Sequence, residues 1–252
     1  MFIKSILVLL LLSCTSLDGD GDNSKAGPEA LYKDAKRLFD KKSYQVAQEK
    51  IRKIREKFPY SYYANPAELL NADILFQQSN YLEAATAYHV FRELHPKDKN
   101  LDYVIFKIGE SYHKMMPSTP DKDISITKRA IRSYEELLAK FPNAIYKKSA
   151  LKHLKEARGM ILNHEKGIAD FYFKTKNYEA ARYRFLDIAN TFKEKEISNY
   201  SKLKVVESSY LMEDYPLCLG YIKMFAAGLN EEAAKKADDY VTKCSEKLKN
   251  KS

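Results

Sequence analysis

Residues 80–96 read NYLEAATAYHVFRELHP, and the fold is decided here. A turn former, Asn80, precedes Tyr81; Ala84 follows, Tyr88 and Phe91 come four and seven residues after it, and Pro96 closes the stretch. Apolar groups at that spacing share one face of an α-helix, and proline cannot continue one. The same spelling recurs along the chain. Ser43–Tyr44 leads to Ala47, Ile51, Ile54 and Pro59; Asn177–Tyr178 to Ala181, Phe185 and Ile188; Asp214–Tyr215 to Cys218, Ile222 and Phe225. Ala130, Tyr134, Leu137 and Pro142 supply a fifth instance without the leading Tyr. The small residues stand 37 (47 to 84), 46 (84 to 130), 51 (130 to 181) and 37 (181 to 218) positions apart.

This register resembles the tetratricopeptide repeat, a pair of antiparallel helices stacked on its neighbours. The small residue permits close approach within a pair, and the larger residues after it pack on the next. First helices of the pairs show Leu31, Ala35 and Leu38; Ala72 and Leu75; Gly109 and Tyr112; Ala169 and Tyr172. The expected fold is all-α: a solenoid of about five helix pairs with a C-terminal capping helix over 231–248. About nine extra residues around Met115–Asp121 predict an exposed loop inside the third pair. The stretch after Pro142 predicts one long helix from about 145 to 174, and Gly228–Leu229–Asn230 reads as a C-cap followed by an N-cap.

The N-terminus reads differently. Lys4 gives a positive start, Ile6 to Leu12 is apolar, and Leu11–Leu12–Ser13–Cys14 resembles the bacterial lipobox. Residues 1–13 are therefore expected to be a lipoprotein signal peptide, too short to span a bilayer. Residues 14–27 are expected to be a flexible tether running from lipidated Cys14. Asp18, Asp20, Asp22 and Glu29 match the first, third, fifth and twelfth positions of a calcium-binding loop. Asn23 stands where that loop needs Gly, so the spacer reading is preferred.

Beyond the generic repeat, residues 58–112 and 140–185 resemble the BamD family of outer-membrane assembly lipoproteins. The most specific pieces are HPKDKNLDYV (95–104) and the long helix bearing His164–Glu165, Ala169 and Tyr172. The resemblance implies a non-enzymatic scaffold, lipid-anchored on the periplasmic face of the outer membrane. It implies that the N-terminal repeats 1–3 (28–142) receive unfolded outer-membrane proteins, with Tyr60, Tyr62 and Tyr63 as candidate contacts. The long helix, repeats 4–5 and terminal helix (143–252) would dock the periplasmic domains of the barrel subunit through a basic face with Arg182 and Arg184. The alternative is another periplasmic tetratricopeptide lipoprotein, such as a pilus-assembly pilotin or a cell-envelope coordinator.

Composition agrees with a folded helical chain: of 252 residues 45% are hydrophobic and 31% charged, with only eight Gly and eight Pro. The formal charge of +9 suits an anionic partner but reads first as a solvated helical surface. Basic runs such as Lys50–Arg52–Lys53–Arg55–Lys57 lack interleaved aromatics, which argues against nucleic acid. There is no GxSxG, P-loop or HExxH, and no cofactor or metal is expected. A lytic hydrolase would need a Glu beside Ser, Thr or Gly in a cleft, and Glu110–Ser111 is the nearest match. Cys218 is either a buried packing group or half of a disulfide with Cys244.

Overall fold

The computed structural model describes residues 26–251, so the signal peptide, Cys14 and most of the expected tether lie outside the described residues. Among those described, every regular element is helical. They are α1 (Pro28–Asp40), α2 (Tyr44–Lys57), α3 (Ala64–Gln77), α4 (Tyr81–Leu94), α5 (Leu101–Lys114) and α6 (Ser125–Lys140), then α7 (Lys147–Lys174), α8 (Tyr178–Thr191), α9 (Lys195–Leu211), α10 (Tyr215–Phe225) and α11 (Glu231–Lys251). None of these helices is long and apolar enough to cross a membrane.

The chain divides into two compact units, one ending at Ile74 and the other starting at Leu75, a division that falls within α3. In the first unit Leu31 and Ala35 of α1, Ala47, Ile51 and Ile54 of α2, and Ala67, Leu70 and Ile74 form one core. In the second, consecutive helices from α4 to α11 pack on one another as antiparallel pairs, and α11 closes the end against α9 and α10. The boundary expected after residue 142 lies inside this second unit, where Tyr134 on α6 meets His153 on α7 and Glu135 meets Arg158.

The repeat register is the packing register. Ala47, Ala84, Ala130, Ala181 and Cys218 are all fully buried, as are Tyr88, Tyr134, Leu137, Phe185 and Ile188. Close approach is tightest at Gly109, where a Cβ would come within 2.7 Å of the Tyr134 ring.

Four of the turns between paired helices are built alike. Lys42, Ser79, Lys176 and Glu213 take the left-handed conformation, with φ of 60°, 63°, 63° and 59°. Each N–H bonds the carbonyl three residues back, and the next residue's N–H the carbonyl five residues before it, at 2.8 to 3.1 Å. This is the Schellman arrangement that ends many helices. An aromatic pair spans every one of these turns: Phe39 with Tyr44, Phe76 with Tyr81, Phe173 with Tyr178 and Tyr210 with Tyr215, ring centroids 5.3 to 5.8 Å apart. Twice a lysine of the following pair lies over the first ring of that staple. Lys107 sits 3.3 Å from the Phe76 centroid and Lys204 3.9 Å from that of Phe173. A left-handed conformation costs a side-chain-bearing residue about 1–2 kcal/mol, and glycine escapes most of it. Lys176→Gly and Glu213→Gly are therefore each expected to stabilise the second unit by about 0.5–1 kcal/mol in urea unfolding. Lys176→Val should lower stability.

Candidate functional site

The residues singled out by sequence fall into three environments. Tyr60 and Tyr62, in the turn between α2 and α3, are 101% and 80% exposed. Tyr63 is half-buried: its ring packs on Tyr32 at 5.6 Å and on Tyr62 at 5.4 Å. Partial burial, and then the Glu29 carboxylate, push its phenol above the usual value. Glu29 itself pairs with Lys33 at 2.7 Å on α1. A cleft of about 440 Å³ is lined by Arg52, Arg55, Glu56, Pro59, Ala64 and Glu68. Arg52 of this cleft pairs with Glu56 at 3.5 Å, and the cleft lies next in sequence, at Pro59 and Ala64, to the exposed tyrosines.

The expected basic face of the C-terminal half is not formed by Arg182, which is only 8% exposed. Its Nε lacks a hydrogen-bond partner and its guanidinium lies 5.1 Å from the Tyr183 ring. Arginine buries its stem readily, and the position beside Ala181 turns this one inward. Arg184 is exposed but reaches Glu165 at 3.4 Å. On α11, Lys235, Lys236 and Lys243 pair with Glu231, Glu232 and Asp239 one turn earlier. Much of the positive charge expected to face a partner is thus neutralised locally.

The Glu110–Ser111 pair belongs to the staple. Glu110 accepts from Lys107 at 2.7 Å while Lys107 covers Phe76. The fully buried Ser111 hydroxyl donates to the Lys107 carbonyl at 2.7 Å. Lys204, Glu207 and Ser208 repeat the same bonds over Phe173. Both groups are therefore engaged in packing.

A polar cluster that no local spacing announced lies where α5, α6 and α7 meet. His113 and His153 stack with centroids 4.4 Å apart, and His113 Nε2 lies 3.2 Å from Glu156 Oε2. The fully buried Tyr134 places its hydroxyl 3.1 Å from His153 Nδ1. Burial, and then the neighbouring His153, hold the His113 imidazole below its usual value. Burial pushes the Tyr134 phenol far up, so it stays protonated. His164 behaves differently: its Nδ1 meets the Pro120 carbonyl and ties the inserted loop to α7. Cys218 and Cys244 form a disulfide, Cα atoms 6.8 Å apart, joining α10 to α11.

The family model described as YfiO, outer membrane lipoprotein, matches residues 24–216. The outer membrane protein assembly factor BamD of Rickettsia prowazekii is 29% identical over 222 residues, covering 86% of this chain and 88% of that relative. BamD of Neisseria gonorrhoeae is 25% identical over 221 residues and 82% of each chain. That of Neisseria meningitidis serogroup B is 26% identical over 197 residues, 75% of this chain and 73% of the relative.

Proposed function

The chain belongs to the YfiO family of outer membrane lipoproteins, and from that premise we propose that it is a non-enzymatic scaffold of outer-membrane protein assembly. Lipidated Cys14 anchors it on the periplasmic face of the outer membrane. The repeats over 28–142 receive extended segments of unfolded outer-membrane proteins, and 143–252 holds the periplasmic domains of the barrel subunit. The observation that carries this reading is the extensive likeness to proteins named as outer membrane protein assembly factors. A buried Cys218–Cys244 disulfide also favours an oxidising compartment outside the cytoplasm.

Two exposed tyrosines, next in sequence to residues of an arginine-lined cleft, support a peptide site in the N-terminal repeats. Tyrosine is enriched among the few interface residues whose truncation costs about 2 kcal/mol or more. Tyr60→Ser with Tyr62→Ser is thus expected to weaken binding of a labelled client C-terminal peptide about 10-fold or more, with barrel-subunit binding unchanged. Arg184→Glu should do the reverse. The measurement is fluorescence anisotropy for the peptide and co-purification for the barrel subunit, with the full chain. Equal losses on both ligands from either variant would sink the division of labour.

A further inference from the structure

His113, on the last turn of α5, and His153 and Glu156, three apart on α7, each aim one ligand atom into a common space. These atoms all lie within 4.8 Å of one another. Bonds of about 2.0–2.1 Å around a tetrahedral metal place neighbouring ligand atoms about 3.3–3.5 Å apart. The His113–Glu156 pair is already at 3.2 Å, so closure requires only the second imidazole to turn inward.

The surroundings fit a metal better than a plain histidine–carboxylate contact. Tyr134 bonds His153 through Nδ1, which leaves Nε2 as the ligating nitrogen. Holding the other ring nitrogen in this way is how metal-binding histidines are fixed in orientation. The His113 side chain is 17% exposed and that of Glu156 is 47% exposed, so an ion can enter from solvent and keep a water as fourth ligand. Lys152 stands 4.0 Å from the second oxygen of Glu156, exposed and free to swing away.

We propose that His113, His153 and Glu156 form a binding site for a borderline divalent transition metal of the zinc class, which clips α5 to α7. Two imidazoles and one carboxylate select such ions over calcium or magnesium, which prefer all-oxygen shells. The ion would add a direct bond between the first helices of successive pairs, at the place where the inserted loop interrupts the repeat. Tyr134 is a positioning residue for this site.

The test uses the full chain stripped with a chelator and titrated with Zn²⁺ by calorimetry, with Co²⁺ absorption as a spectroscopic report. One equivalent should bind, Co²⁺ should show the visible bands of four-coordinate nitrogen and oxygen ligation, and the melting temperature should rise with added Zn²⁺. His113→Gln and Glu156→Gln should each remove the Co²⁺ bands, and Tyr134→Phe should weaken Zn²⁺ about 10–100-fold. His89→Gln, outside the cluster, should leave Zn²⁺ affinity and the Co²⁺ bands unchanged. Glu156 is half exposed, so its variant folds whether or not the histidine variant does. Binding that survives Glu156→Gln unchanged, or no binding to the unaltered chain, would overturn the proposal.

Discussion

Converting Cys218 and Cys244 together to Ala is expected to lower the stability of the second unit by about 3.5 kcal/mol, the entropy of closing a loop across the 26-residue separation. Both sulfurs are fully buried between α10 and α11. Alanine leaves no hydroxyl unsatisfied there, so the loss reports the crosslink plus a small cavity. In calorimetry this corresponds to a fall in Tm of about 7–14 °C for a unit of this size. A thiol assay should find no reactive Cys218 or Cys244 in the folded oxidised chain, and both in the unfolded reduced one. A double variant that melts with the unaltered protein would show that the bridge does not form in solution.

Replacing Cys14 with Ala is expected to move the protein from the membrane fraction to the soluble one. Burying acyl chains is worth about 0.8 kcal/mol per CH₂, one chain gives only marginal binding, and two or more give stable attachment. The described helices offer no membrane-spanning segment to replace that anchor. Fractionation and mass spectrometry of residue 14 check the outcome. A membrane-bound Cys14→Ala protein, or an unaltered protein without a lipid adduct, would refute the anchor.

The register of the pairs was legible because a small residue followed by large ones leaves a direct mark on sequence. Ala47, Ala84, Ala130, Ala181 and Cys218 are buried for that reason. The long helix was expected from about 145 and begins at Lys147; it contains no proline, and Gly159 and Gly167 are too weak as breakers to end it. The turn staple was half legible. The leading Tyr was visible, but its partner five residues earlier, as in Phe173 and Tyr178, looked like ordinary helix apolar content. The repeated KIGES (107–111) and KVVES (204–208) were hidden likewise, because a lysine over a ring reads as surface charge. Left-handed Lys42 or Glu213 carries no glycine to announce it. Arg182 misled because charge predicts exposure only on average. The His113 cluster escaped since its ligands are 40 positions apart (113 to 153), brought together by packing alone.

Helix α7 belongs to two pairs at once. Its first half meets α6 through His153 and Arg158, and its second half meets α8 and α9 through Glu165 and Asp170. At 28 residues it is about 42 Å long. A single beam of that length has no proline in its middle at which an imposed tilt would be absorbed. Leaning one end by about 5° carries the other roughly 4 Å sideways, far more than a close-packed contact tolerates. Whatever load is placed on the α6 end is therefore felt as displacement at α8 and α9.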